Sequence, residues 1–444
     1  MADFIEAVTA SWRGSVQALA RLTLPWRATL VAEASDFVRF NRGRVRQGGH
    51  VEQAECTLTL MVEGRSGSRR FPLTGVVETD VAQVEQAVAD LQQVVPQLPP
   101  DPFLVEPSGN AQSQEVQAGQ VPPVTQVMPL ILEGVAGLDF TGLYAAGPQV
   151  RAYADSAGQS HWFYTETFTL DYSLFNEQQR AVKGYYSGRA WETSAFVRQL
   201  QALRRQLELL SRPAKVLPPG RYRTYLAPAA VAELVGMLSW GGLSEAALRQ
   251  GTSALLPLRR GERQLAAAFS LRENFQAIPV PRFTVQGDVA PVQLPLIQQG
   301  QLVQTLVSQR TAREYGLTAN GAEPGEALRA PEVLPGTLPV AQALTALDQG
   351  LYVANLHYLN WSDQATGRIT GMTRYACFWV EGGQMVAPIE NLRFDESLYH
   401  FWGDGLVALT DTQEWLPATD TYDHRSLGGT LAPGMLVADF QYTL

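Results

Sequence analysis

The sequence predicts an α+β protein with a duplicated helix–antiparallel-meander N-terminal half and a β-rich C-terminal half. Three observations carry this expectation. Stretches with apolar residues at helical spacing alternate with stretches whose apolar period is near two. The order helix, strands, helix occurs twice before residue 212. Beyond residue 220, strand patterns and turn signals dominate.

Each element follows from its pattern. Residues 4–23 repeat Phe4, Ile5, Val8, Trp12, Val16, Leu19 and Leu22 at helical spacing, which predicts an amphipathic helix. Over 28–76, Val31, Phe37, Val38, Phe40, Val45, Val51, Cys56, Leu58 and Leu60 sit among polar residues. That is a meander, with turns expected at Asn41-Arg42-Gly43, Gly48-Gly49 and Arg65-Ser66-Gly67. Residues 78–95 return to helix, with Thr79 as N-cap and Pro96 as stop. Residues 96–123 are rich in Pro, Gln, Ser and Gly and read as a linker or a surface arm. A helix over 124–138, strands over 142–187 and a helix over 193–210 follow.

A shift of 112 residues lays Val38-Arg39 on Val150-Arg151, Gln47 on Gln159 and Thr57-Leu58 on Thr169-Leu170. Residues 1–212 are therefore expected to form one domain from two copies, 1–95 and 124–212, with their meanders side by side in one sheet. The stretch from Ser211-Arg212-Pro213 to Pro218-Pro219-Gly220 marks a boundary, and 213–444 forms the second domain. There, 222–226 reads as a strand and 229–238 as a helix with Pro228 in its first turn. Hairpins are expected around Gln298-Gln299-Gly300-Gln301 and Glu381-Gly382-Gly383-Gln384. Residues 316–339, dense in Gly and Pro, read as a long surface loop.

Composition narrows the function. The 444 residues carry a formal net charge of −9, so no long-range field draws in nucleic-acid phosphates. Lys183 and Lys215 are the only lysines. Cys56 and Cys377 stand far apart, which excludes a disulfide framework and a Cys-x-x-Cys metal knuckle. No run approaches a membrane span; the longest apolar stretch, Leu226 to Trp240, is broken by Glu233. The acidic start Met1-Ala2-Asp3-Phe4-Ile5-Glu6 is unlike a signal peptide, and a cytoplasmic location with free thiols is expected.

The common chemical signatures are missing. No two of His50, His161, His357, His400 and His424 stand at i,i+4, and no nucleophile elbow, phosphate loop or dinucleotide fingerprint occurs. Each histidine reads more simply as structural than as a ligand. Tyr352, Asn355 and His357 belong to the strand pattern Leu351 to Tyr358, where His357 shares a face with Asn355 and Val353. That face reads either as the lining of a peptide groove or, more plainly, as a solvated sheet face. Cys377 alternates with Tyr375 and Trp379 as a small core residue, and Asp395-Glu396 reads as a solvent-facing turn.

Asp36-Phe37-Val38-Arg39-Phe40-Asn41-Arg42-Gly43-Arg44-Val45-Arg46-Gln47, followed by Val51-Glu52-Gln53, resembles the N-terminal strand region of the TldD/PmbA proteins. Gly142 to Pro148, Trp162 to Tyr172, Gly251-Thr252-Ser253, Gly350 to Leu356, Glu381 to Gln384 and Asn391-Leu392-Arg393 continue the resemblance in order. The family is metallopeptidase-related and was once labelled as modulators of DNA gyrase. Its TldD type carries His-Glu-x-x-x-His on a helix plus a later cysteine; these hold zinc, with the Glu as general base. Its TldE (PmbA) type lacks the motif and assembles with TldD. Here Ala232-Glu233-Leu234-Val235-Gly236-Met237 keeps the Glu but has Ala232 and Met237 at the histidine positions, and Gly429 to Leu444 holds no cysteine. Without a metal-bound water, Glu233 reads as an exposed polar residue on the helix.

The resemblance therefore implies a cytoplasmic, TldE-like, non-catalytic subunit with no catalytic residue and no metal or other cofactor of its own, zinc being expected only in a TldD-type partner. The expected assembly is a homodimer, or a heterodimer with that partner, presenting unfolded peptide for proteolysis, without direct nucleic-acid or membrane contact. Two rivals stand beside it. One is an active metallopeptidase with a relocated site built from His357, His400 or His424 with Asp or Glu. The other is a binding protein acting on gyrase or another DNA enzyme through its acidic surface.

Overall fold

A computed structural model describes residues 2–443. The N-terminal half begins with α1 (Ala2–Leu19), then β1 (Trp26–Asn41), β2 (Arg44–Val62), β3 (Arg65–Pro72) and α2 (Val77–Val94). After an arm carrying β4 (Gln112–Gln117) come α3 (Val124–Gly134), β5 (Asp139–Asp155), β6 (Ser160–Phe175), β7 (Ala181–Gly188) and α4 (Thr193–Leu210). β1, β2 and β3 form an antiparallel meander, as do β5, β6 and β7. β1 pairs antiparallel with β5 from Arg27↔Asp155 to Phe40↔Gly142, so both meanders share one seven-stranded sheet.

The helices cover one face of this sheet in two patches. α1 and α2 pack Trp12, Val84 and Leu91 against Trp26, Leu30 and Leu58. α3 and α4 pack Ile131, Phe196 and Leu200 against Phe140, Tyr172 and Val182. Removing such side chains from water is worth about 1.5–3 kcal/mol each. The start of α2 is closed by Asp80, not Thr79: its carboxylate accepts from the N–H groups of Thr74 at 2.8 Å and Gly75 at 2.9 Å.

Turn chemistry explains the hairpins. Arg42-Gly43 and Glu63-Gly64 adopt positive φ, as a two-residue type I′ turn requires. The other two expected turns do not form. Gly48 and Gly49 lie within β2, paired to Val38 and Phe37, and Arg65 to Gly67 already belong to β3. Glycine is tolerated there because β2 has solvent on both faces over this stretch.

The C-terminal half contains β8 (Gly220–Leu226), α5 (Pro228–Gly236), α6 (Glu245–Gln250), α7 (Leu256–Arg259), β9 (Leu271–Asn274), β10 (Gln293–Gln298) and β11 (Gln301–Leu302). It continues with α8 (Gln309–Tyr315), β12 (Pro331–Val333), α9 (Ala343–Leu347), β13 (Gly350–Asp363), β14 (Arg368–Glu381) and β15 (Gln384–Pro388). β16 (Arg393–Ser397), β17 (Leu406–Pro417) and β18 (Gly429–Tyr442) complete it. β13, β14, β16 and β18 neighbour one another in that order, and β8 bridges β13 and β18, so these five strands close into a ring.

Several segments differ from their sequence expectation. Residues 316–339 form a surface loop only in part: Ala322, Glu326, Ala330 and Val333 are buried, and β12 joins the sheet. Gly321 makes the tight passage, since a Cβ there would stand 2.3 Å from the Ala290 Cα, while Pro324, Gly325, Pro335 and Pro339 stay exposed. Asp395 and Glu396 are not in a turn but in β16, and Glu396 is buried, accepting from the Gln441 N–H at 3.1 Å. The arm over 96–123 lies on its own chain. β4 runs parallel to β6, Arg310 of α8 pairs with Asp101, and Arg313 donates to the Leu104 carbonyl.

The two halves interlock across the open face of the N-terminal sheet. Phe283 stacks on His161, centroids 5.4 Å apart, and Gln286 accepts from the Tyr153 hydroxyl. The chain around Arg425 crosses the β1–β5 seam. Gly147 there has φ of 141°, and a Cβ would stand 2.0 Å from the Ala34 carbonyl oxygen, so only glycine lets β5 approach β1 this closely.

Candidate functional site

The helix α5 is positioned by the strand before it. Ala227 is extended and donates its N–H to the Val353 carbonyl at 2.9 Å, and Pro228 then opens the helix. Ala230, Val231, Leu234 and Val235 form its buried face, packed on the C-terminal core. The opposite stripe, Ala229, Ala232, Glu233 and Gly236, looks outward into a groove between the two halves.

The three motif positions diverge. Ala232 and Glu233 lie on the groove stripe. Met237 does not: the regular helix ends at Gly236, and Met237 opens a 3₁₀ turn with its side chain only 3% exposed in the core. Even along an ideal helix, positions 232 and 237 are about 140° apart.

Glu233 stands opposite β7. Burial pushes its carboxyl above the usual carboxylate range, and the Lys183 ammonium pulls it partly back. The Glu233 side chain is exposed, as the helix pattern indicates. Lys183 pairs with Asp171 of β6 and lies 5.1 Å over the Tyr185 ring.

Alongside α5 the groove deepens into a cavity of about 530 Å³. Its walls come from β7 (Lys183, Tyr185), α4 (Gln206), β8 (Tyr225), β13 (Tyr352, Ala354, Asn355) and β17 (Glu414). Tyr225 and Tyr352 stack with centroids 5.7 Å apart. Burial raises both hydroxyls well above the ordinary tyrosine pKa. Glu414 is likewise pushed up by burial.

Of the strand residues singled out from sequence, Tyr352 and Asn355 line this cavity and His357 does not. A register shift between Val353 and Asn355 interrupts the alternation that would put Val353, Asn355 and His357 on one face. Val353 faces the core instead, and the His357 ring rests on Tyr358 at 3.9 Å, its pKa lowered by burial and then by Arg374. His400 bridges Asp404 and Asp439, and His424 lines a separate cavity at the β1–β5 seam. Glu414 was not legible in the sequence, because no motif surrounds it and its neighbours in space are distant in the chain.

These residues do not fit a zinc ion. Ala232 offers no donor, the Met237 thioether is in the core, and β18 has no cysteine. Cys377 is buried in β14, and burial raises its thiol pKa to about 11. Among the described residues, no three His, Cys, Asp or Glu side chains are grouped to hold a metal.

Residues 219–443 match the family model described as the PmbA/TldA metallopeptidase C-terminal domain. The chain belongs to the PmbA/TldD family. No curated protein matches it significantly. Among solved structures, TldE from Thermococcus kodakarensis is similar over 98% of this chain and 100% of its own, at TM-score 0.77 and 11% identity. A candidate modulator of a DNA gyrase from Thermotoga maritima aligns over 97% and 99%, at TM-score 0.77 and 15% identity. Another, from Bacteroides thetaiotaomicron, aligns over 98% of each chain at TM-score 0.76 and 14% identity. At these identities the likeness establishes the α+β fold of the PmbA/TldD proteins. No helix among the described residues is long and apolar enough to cross a membrane.

Proposed function

We propose that this PmbA/TldD-family chain is a TldE-like, non-catalytic subunit acting in the cytoplasm. It pairs with a zinc-bearing TldD-type subunit and holds unfolded peptide in the groove beside α5. One observation carries the reading: at the family's motif helix only Glu233 keeps a usable polar group facing the groove, while Ala232 is bare and Met237 is buried. A carboxylate without a Lewis acid has no activated water to deprotonate. The groove supports the peptide role, being walled by strands and lined by aromatic and amide groups suited to an extended chain.

The test is to purify the chain without chelator, measure its zinc, and assay cleavage of an unfolded polypeptide alone and after mixing with a TldD-type subunit. The expected result is substoichiometric zinc, no cleavage alone, and a stable complex that cleaves. Stoichiometric zinc with chelator-sensitive cleavage by this chain alone would overturn the reading.

A further inference from the structure

We propose that the cavity between the halves is a subsite for a cationic group on a linear apolar stem, a guanidinium or an alkylammonium, with Glu414 as its counter-ion. The proposal deepens the peptide-holding reading and rests on it, since it names the side-chain class the groove selects.

The charges come first. Glu414 lines the cavity from β17, and its carboxylate makes no hydrogen bond or ion pair with any described residue. Among the described residues, Lys183 is the only basic one on the cavity wall. Its ammonium is already engaged by Asp171 and lies over the Tyr185 ring, so it does not neutralise Glu414. Glu233 adds a second carboxylate one turn along α5 from Ala229, which lines the cavity. The Glu414 side chain stays open to solvent at the cavity, while the surrounding protein raises its pKa. An entering cation meets an unshared counter-charge there, a neutral group gains none, and an anion is repelled.

The shape agrees. The stacked Tyr225 and Tyr352 rings stand close enough to Glu414 to feel its charge. Aromatic faces and a carboxylate together favour a cation over a neutral isostere. Leu203, Leu344 and Met385 give the same cavity an apolar wall for a methylene stem. Gly434 keeps the Tyr225 ring in place: a Cβ there would stand 1.9 Å from the Tyr225 hydroxyl. A volume of about 530 Å³ accommodates an arginine or lysine side chain with water.

The test uses the full chain and a fluorescein-labelled nonapeptide with one central arginine. Its twin carries citrulline, which keeps the shape and removes the charge. The expected result is at least tenfold tighter binding of the arginine peptide to the wild type, and equal binding of both by Glu414→Gln with its melting temperature not lowered. Equal affinities on the wild type, or selectivity that survives in Glu414→Gln, would overturn the cation subsite while leaving peptide holding intact. Failure of both peptides to bind would overturn both readings. Agmatine as competitor separates the sources: displacement at comparable affinity assigns the site to free amines, and weaker displacement assigns it to a polypeptide side chain.

Discussion

The main-chain N–H of Arg425 donates to the Glu33 carboxylate at 3.2 Å, joining a loop of the C-terminal half to the middle of β1. The Arg425 guanidinium continues inward, donating to the carbonyls of Gly147 at 3.1 Å and Thr167 at 3.0 Å and to the Thr167 hydroxyl at 2.9 Å. Gln149 donates back to the Arg425 carbonyl at 2.8 Å. Burial lowers the pKa of this arginine to about 10, and the nearby Glu33 charge opposes that shift. With a further guanidinium bond to the Ser35 hydroxyl at 3.4 Å, this one residue satisfies polar groups on β1, β5 and β6 together.

Arg425→Ala keeps the main-chain N–H to Glu33 but strips the donors from the Gly147 and Thr167 oxygens, and is expected to destabilise the protein by about 2–5 kcal/mol, at about 1–3 kcal/mol for each buried group left unsatisfied. Thermal and urea melts check it. The loss should appear in probes of both halves, because the contact belongs to both.

His400 gives a pH dependence. Burial alone would lower its pKa, but the hydrogen-bonded Asp404 carboxylate and the nearby Glu396 and Asp439 raise it above the ordinary 6.5. A histidine whose folded pKa is raised contributes stability that is complete below the unfolded pKa and fades as pH rises through the folded one. The melting temperature of the wild type, measured relative to His400→Gln, should therefore fall from pH 5.5 to pH 8. A difference between the two that stays flat with pH would reject the assignment.

Restoring the two histidines should not restore a metal site. In Ala232→His/Met237→His, residue 232 faces the groove while residue 237 faces the core. The double variant is expected to bind zinc substoichiometrically by elemental analysis. The buried imidazole should cost about 1–3 kcal/mol of stability in a thermal melt.

Glu414→Gln should be at least as stable as the wild type at pH 8. A carboxyl whose pKa is raised on folding binds its proton more tightly in the folded chain, so stability falls as pH rises above the unfolded value near 4.5. Removing the charge removes that decline. Calorimetry at pH 5 and pH 8 reads the sign directly, and a variant that melts well below the wild type at pH 8 contradicts it.

Legibility in the sequence followed the range of the interactions. α4 spans Thr193–Leu210 as its periodicity indicates, because an amphipathic helix writes its burial into neighbouring residues. The β1–β2 hairpin is legible from Arg42-Gly43 for the same reason. β4 is not: Gln112 to Gln117 carries one apolar residue, Val116, and becomes a strand only because the edge of β6 is open to it. β12 is hidden for a related reason, since three residues amid prolines gain their state from β9 and β18. At the site, the helix stripe with Glu233 follows from local spacing. The meeting of Tyr225, Tyr352 and Glu414 depends on the closed ring and has no local mark.

The ring also constrains the order of events during synthesis. β8 leaves the ribosome early, but β18, which must lie against it, follows only about 200 residues later. Until then the nascent C-terminal half exposes unpaired backbone along β8 and the apolar face of α5 that β18 will cover. Chaperone capture of that interval is the natural safeguard, and stalling translation between these strands should yield chains that aggregate even though α1 to α4 and their sheet have already emerged.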